Sequence, residues 1–392
     1  MTIAGTQTPM LGQSQEEDDL VDLAHDFAAK ILRPNAAKYE ESDEYPHEIV
    51  RQAARIGLAA YDLPEEYGGG GVTSMRTVVR VEEELCWGDV GLKGTFRCGS
   101  FFSKPVLHLG NEEQKQRWIP RVCTDDPALG ATAATEPEAG SDAGAMRTTA
   151  KRVDGGYVLN GQKMWITNAP QADLYSVFAT TAPGTRSRGI TAFVLEKGDE
   201  GFTQGKPIAK MGQNSIPAAE LVFKDCFVPE DRRLGDEGAA FRGLMTVFDK
   251  SRLMVAASGL GIARAAVEYA IDYAKQRKTW GKAIHSYQAV SFRIVDAKMK
   301  LEQARQLSYY AASLCDAGKP FSAEAAMAKV AASEAAMFAT WACIQTMGSY
   351  GYSREYPAER WFRQAKLEEI YEGTSDINRL VIARSLFGRE DS

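Results

Sequence analysis

An α+β protein in three consecutive parts is predicted: an N-terminal α-helical domain, a middle antiparallel β-sheet or barrel domain, and a C-terminal four-helix bundle. Three observations predict it. Up to about residue 125 apolar residues recur at helical spacing. From 126 to 235 short runs of β-formers alternate with turn dipeptides, and no helical crossover separates them, which excludes a βαβ nucleotide-binding unit. From 236 onward long amphipathic segments return and persist. The boundaries drawn are a lead-in over 1–15, a helical domain over 16–125, a β domain over 126–235 and a helical bundle over 236–392.

In chain order, Leu20, Val21, Leu23, Ala24, Phe27, Ala28 and Ile31 mark a first helix, with Pro34 as its breaker. A second helix runs through Ile49, Ala53 and Ile56 and stops at Gly57; a third spans about Thr73 to Leu85. Gly68 to Gly71 read as a plain turn, because no Lys-Ser/Thr follows to make a phosphate loop. The predicted strands are 156–159, 163–167, 174–178, 190–195 and 220–223, with Asn160-Gly161 among the separating turn pairs. The bundle helices are predicted over 238–277, 286–316, 322–348 and 374–387.

Composition removes several function classes. A net charge of −6 argues against nucleic acid as a partner. No run of about 18 uncharged apolar residues is present, so no membrane span is expected; the most apolar stretch, Val255 to Ala274, carries Arg264, Glu268 and Asp272. The 6 cysteines form no CxxC pair and the 4 histidines are scattered, so neither a disulfide framework nor a metal site is expected. The first residues resemble no signal or transit peptide, and a cytoplasmic protein is expected. Gly259-Leu260-Gly261-Ile262-Ala263-Arg264 misses a dinucleotide fingerprint: it follows no strand and has Arg where the third glycine belongs. GxSxG, HExxH and Walker A motifs are absent.

Chemistry is sought instead in dispersed stretches. Glu372 precedes Gly373, a residue suited to a helix end, and Thr374, Ser375 and Asp376 are N-cap candidates for the next helix. Glu372 therefore lies on a helix–turn–helix joint, where it is either a solvated turn carboxylate or a catalytic one. Trp165 and Thr167, two apart on a strand, put an indole and a hydroxyl on one face, as a flat heterocycle or a core-and-rim arrangement would need. Arg277-Lys278-Thr279 ends a long helix with charge that suits either the helix dipole or a phosphate.

Taken in order, Thr135-Glu136-Pro137…Gly140-Ser141-Asp142, Asn160-Gly161-Gln162-Lys163…Trp165-Ile166-Thr167-Asn168, Arg277-Lys278-Thr279…Gly281, Gln288, Gln345…Gly348…Gly351 and Tyr371-Glu372-Gly373-Thr374 resemble the acyl-CoA dehydrogenase family over nearly the whole chain. The resemblance implies FAD as cofactor, an acyl-CoA thioester as substrate, a homotetramer, and electron-transfer flavoprotein as the electron acceptor. It implies that Glu372 abstracts the α-proton while flavin N5 takes the β-hydride, giving the 2-enoyl-CoA. By the same resemblance Thr132, Ala134, Thr135, Ser141, Trp165, Ile166 and Thr167 hold the flavin. Arg277, Thr279, Gln288, Gln345 and Gly348 hold the rest of FAD, partly across a subunit boundary, with Thr374 and Asp376 at the adenosine part. Many relatives have Gln in place of Asp376. Ser141, Asp249, Arg252 and Arg384 match CoA contacts, and Gly373 allows the backbone to approach the thioester. An alternative base position found in some members is Ser251 here, which cannot serve as a base.

For the acyl pocket the resemblance points to residues 92–102, where Arg97 replaces a glutamate frequent in straight-chain relatives. A cation there either pairs with the distal carboxylate of a dicarboxylic (glutaryl-type) acyl-CoA or is taken up by a neighbouring acid. A flavin oxidase or monooxygenase on the same fold, or a non-catalytic assembly subunit, are the competing readings.

Overall fold

The computed structural model describes residues 14–42 and 44–388, so most of the predicted lead-in lies outside the described residues. The chain starts with helix α1 (Gln15–Phe27), closed by a capping box in which Ser14 Oγ accepts from the Glu17 N–H and Glu17 Oε2 accepts from the Ser14 N–H. Pro34 does not end this helix. A π-turn over Ala28–Leu32 shifts the hydrogen-bond register, with the Arg33 N–H bonded to Ala28 O, and α2 (Arg33–Glu41) restarts with Pro34 in its first turn, where a missing N–H costs nothing.

Helix α3 (His47–Arg55) follows, then α4 (Met75–Leu109), which extends well past the predicted stop at Leu85. Asp89 breaks α4 with extended dihedrals (φ −166°, ψ 124°), and its Oδ1 accepts the Leu92 N–H at 2.9 Å, so one side chain ends the first half and caps the second. Gly91, Gly94 and Gly99 hide the helical signal of that second half. Helix α5 (Glu112–Trp118) completes the region.

The middle part is an open, mixed sheet and not a closed barrel. Its strands are β1 (Gly130–Ala133), β2 (Thr149–Val153), β3 (Gly156–Thr167), β4 (Leu174–Thr180), β5 (Ile190–Glu196), β6 (Phe202–Gln204), β7 (Ala218–Pro229) and β8 (Arg233–Leu234). Their order is β6-β7-β3-β2-β4-β5-β8, with β1 pairing β4 in parallel; β2 also meets β4 in parallel at Thr149–Thr180, and the other pairings are antiparallel. Asn160-Gly161 is not a hairpin turn. It is an irregularity inside β3, whose register against β7 shifts between Leu159 and Gly161 and again between Lys163 and Ile166.

The C-terminal part contains α6 (Ala240–Gln276), α7 (Gln288–Asp316), α8 (Ser322–Met347), α9 (Ala358–Glu368) and α10 (Ser375–Phe387), α9 being the first helix of the joint expected at Glu372, for which the sequence sets no range. By length and composition α6 could cross a membrane, but 83% of its apolar window is buried inside the protein, where α4, α7 and α8 cover it. The near-miss glycine motif has a packing role. A Cβ on Gly259 would sit 2.8 Å from Ala332 O, and one on Gly261 would sit 2.6 Å from Glu83 O, so these glycines let α6 touch the backbones of α8 and α4.

Candidate functional site

Helix α9 ends at Glu368, and the chain turns through Glu369–Thr374 into α10. Glu372 (φ 53°) and Gly373 (φ 90°) are both left-handed, a conformation that glycine adopts freely and glutamate adopts only under constraint. Thr374 is the N-cap: its Oγ1 accepts the Ile377 N–H at 3.2 Å. Asn378 Nδ2 and Lys329 Nζ each donate to Gly373 O at 2.8 Å, so the turn is tied to α10 on one side and α8 on the other.

The Glu372 carboxylate is partly buried and points to α6. Ser251 Oγ donates to Glu372 Oε2 at 2.6 Å, and Arg252 and Lys329 supply positive charge nearby. Burial raises the Glu372 pKa above the usual carboxylate value, while the Ser251 hydrogen bond, Arg252 and Lys329 oppose that rise. Arg252 is buried and ion-paired with Asp249, which also accepts from Ser322 Oγ at 2.9 Å. This cluster brings the predicted base together with two of the predicted CoA contacts, Asp249 and Arg252. Asp376 and Arg384 are exposed along α10, Asp376 with 96% of its side chain accessible.

The predicted flavin residues cluster on the sheet. Trp165 occupies the second irregularity of β3 with φ 62° and exposes its indole; Thr167 is exposed beside it and Ile166 is buried, so indole and hydroxyl do share a face. Ile166 can therefore meet a ligand only through its backbone. Thr132 on β1 donates its hydroxyl to Phe101 O at 3.1 Å and accepts from Ser176, so that hydroxyl is already engaged inside the protein. The loop carrying Ala134, Thr135 and Ser141 is held from below. Lys163 Nζ, fully buried, donates to Ala134 O (3.0 Å) and Glu136 Oε1 (2.7 Å), and the Glu136 carboxylate accepts the Arg147 and Thr148 N–H groups. Burial pulls the Lys163 pKa down to about 8, against the pull of Glu136. An exposed indole fixed in a strained backbone, next to a hydroxyl and a pinned loop, fits a flat heterocycle.

A second group lies on the bundle. Arg277 ends α6 and Thr279 lies in a short hairpin (Lys278–Thr279 with Lys282–Ala283) whose Thr279 O accepts from Tyr287 Oη. Arg277 stacks over Tyr350 at 5.7 Å, and Tyr273 Oη reaches Met347 O, which joins this corner to the end of α8. There Gln345 and Gly348 (φ 63°) line an open depression of about 340 Å³ with Ile344, Ser349 and Tyr352. Gln288, the first residue of α7, is exposed.

Arg97 is a correction to the distal-carboxylate expectation. It is fully buried and lies 2.8 Å from Asp62 and 2.9 Å from Glu82, donates to Ala59 O and stacks over Tyr61 at 4.2 Å. With two internal carboxylates already around its guanidinium, it holds the protein interior together and offers no charge to a substrate. Three participants escaped the sequence reading. Ser251 was read only as unable to act as a base, and a hydroxyl's donor role has no sequence signature. Lys329 was signalled by being a lysine inside the alanine-rich run 323–342. Glu368 stands four residues before Glu372, at the end of the helix that leads into the joint, where nothing in the sequence separates it from a solvated helix glutamate.

Residues 14–126, 131–226 and 239–387 match the family profiles of the acyl-CoA dehydrogenase N-terminal, middle and C-terminal domains. A curated relative, "Acyl-CoA dehydrogenase, short-chain specific" of Megasphaera elsdenii, is 41% identical over 94% of this chain and 97% of its own. Among solved structures, a chain from "Electron transferring flavoprotein of Acidaminococcus fermentans: Towards a mechanism of flavin-based electron bifurcation" has a TM-score of 0.93 at 40% identity, covering 97% of this chain and 100% of that one. "PigA with FAD and proline" has a TM-score of 0.93 at 33% identity over 97% and 100%. The cofactor is FAD. The chain belongs to the acyl-CoA dehydrogenase family and is an oxidoreductase acting on CH–CH bonds.

Proposed function

We propose that this chain dehydrogenates a short-chain acyl-CoA thioester to its 2-enoyl-CoA, with Glu372 as the base, and that electron-transfer flavoprotein collects the electrons in the cytoplasm. The observation that carries the reading is the Glu372 carboxylate. It is held by Ser251 at 2.6 Å on a left-handed turn, and burial raises its proton affinity above that of a surface acid. An α-proton next to a thioester is weakly acidic, so a base of raised pKa within reach is what its removal requires. FAD, when bound, supplies the acceptor for the β-hydride. Trp165, Thr167 and the loop pinned by Lys163 would hold its ring; Arg277, Gln345 and Gly348 would hold its phosphates and adenosine. Arg252 and Arg384 would meet the CoA phosphates, while Asp249 holds Arg252 in place. The short-chain assignment is supported by the 41% identical relative of that name. The dicarboxylic alternative loses its cation, because Arg97 is engaged by Asp62 and Glu82.

The test is an anaerobic titration of the purified yellow protein with straight-chain, branched, aromatic and dicarboxylic acyl-CoA. Flavin bleaching strongest with a short straight chain, with the enoyl-CoA recovered by mass, is the expected result. Bleaching only by another class, or rapid hydrogen peroxide formation in air without an electron-transfer protein, sinks the assignment.

We further propose a homotetramer. Phe292, Val295 and Met299 leave an exposed apolar stripe along α7 at helical spacing, and Trp341 on α8 is also exposed. A second copy of the chain would cover that stripe and approach the open corner at Gln345 and Gly348. Light scattering is expected to give about four times the 42.9 kDa chain mass, and a monomer would overturn it.

A further inference from the structure

Lys329 is the feature that the reaction as described leaves unused. It is fully buried in α8, and a buried ammonium is unfavourable unless something balances it. Its Nζ donates to Gly373 O at 2.8 Å, the carbonyl immediately after the base. The charged groups facing it come from three directions: Glu372 on the turn, Glu368 and Glu369 at the end of α9, and Arg252 on α6. Glu368 is itself fully buried. Its carboxylate accepts from Tyr371 Oη (2.8 Å) and Gln213 Nε2 (2.8 Å), and Lys93 of α4 faces it. The residue before the base is thus anchored through Glu368, and the residue after it through Lys329.

We propose that Lys329 is the positioning residue of the active-site turn: its ammonium clamps the Gly373 carbonyl so that Glu372 stays in its left-handed conformation, and its charge, balanced by Glu368, keeps the Glu372 carboxylate ionised for proton abstraction. The inference rests on Glu372 being the base. Two features make the clamp necessary. A glutamate at φ 53° relaxes toward ordinary dihedrals when its neighbours are released, because that conformation is unfavourable for a residue with a Cβ. The carboxylate is also burial-destabilised, and Lys329 is one of the three groups that counter this. Burial pulls the Lys329 pKa down to about 8, while Glu368, Glu372 and Glu369 pull it up, so its charge is lost on the alkaline side of neutrality.

The pH dependence follows with its sign. Activity needs Glu372 deprotonated, which sets the acid limb, and Lys329 protonated, which sets the alkaline limb; Glu368, whose pKa burial raises to about 7, is ionised across the alkaline limb and balances Lys329 there. Lys329→Met removes a cation beside Glu372 and moves the acid limb upward by about one pH unit; it also abolishes the alkaline limb near 8. Glu368→Gln keeps one acceptor oxygen, for Gln213, and turns an amide N–H toward Tyr371, whose hydroxyl oxygen can accept it; it takes a carboxylate away from Lys329, so it moves the alkaline limb downward.

The experiment measures kcat/KM against pH for the FAD-loaded wild type and both variants, together with amide hydrogen exchange of the 369–378 segment. The expected result is opposite displacement of the two limbs. It is accompanied by at least about tenfold faster exchange in Lys329→Met, with protection kept in Glu368→Gln. Unchanged limbs, or both variants moving the same limb the same way, overturn the proposal. If Lys329→Met fails to fold, the alkaline limb in Glu368→Gln decides alone. Glu372→Gln in parallel separates the two claims: retained turnover there refutes the base itself, whereas its loss with unmoved limbs in the other variants refutes only the clamp.

Discussion

Glu372→Gln lowers the rate at which acyl-CoA bleaches the flavin by roughly 10²- to 10⁴-fold, the usual range for losing a positioned general base. The substitution is close to isosteric, and its amide oxygen still accepts from Ser251, so the left-handed turn, FAD content and thioester affinity are expected to stay near the parent values. The loss therefore falls on kcat and leaves KM largely in place. Rapid-mixing spectroscopy of the reductive step measures it directly. Bleaching at the parental rate would show that the proton leaves by another route, and Ser251, a hydroxyl that donates to Glu372 and the Phe248 carbonyl, could not supply one.

Arg97→Met is the substitution expected to cost most in stability. It leaves Asp62 and Glu82, both buried, without the guanidinium that lies between them. Breaking a buried pair by removing one partner typically costs about 3–5 kcal/mol, and the lower end applies because Lys104 still meets Asp62 and Lys93 still meets Glu82. The pH dependence has a definite sign. Arg97 and Lys104 hold the Asp62 carboxyl well below the usual range, so its stabilisation is complete above the unfolded value near 3.8 and is lost as pH falls toward the depressed native one. The difference between wild type and variant in urea unfolding is therefore largest at neutral pH and narrows below about pH 4. A stability unchanged at pH 7, with altered preference for a dicarboxylic thioester, would restore Arg97 to the substrate.

The helix, sheet, helix order was legible because the hydrophobic period changes with it, and Thr374 was legible as a cap because capping is written in one side chain and the few residues after it. Glu372 as a candidate base was legible only by the order of separated motifs, since a turn glutamate alone has no distinguishing pattern. The misreadings share a cause: each depends on what lies across the fold. Pro34 continues a helical path because a π-turn precedes it; Gly161 is an irregularity within a strand because β7 runs alongside; Arg97 is structural because Asp62 and Glu82 reach it from elsewhere in the chain. Ser251 and Lys329 became visible as partners of the turn only once α6 and α8 were placed against it.

Gly261 leaves the backbone of α6 against that of α4, with only the Cβ of Cys86 beside the contact. Contact of that kind has no rotamers to exchange, so it cannot be adjusted by small repacking steps, only by separating the helices. The spacing between α6, which carries Ser251, and the half of α4 that precedes the break at Asp89 is therefore a fixed dimension of the molecule. Any divergence in what the interior accepts must come from the side chains along those walls, while the distance between the walls stays the same.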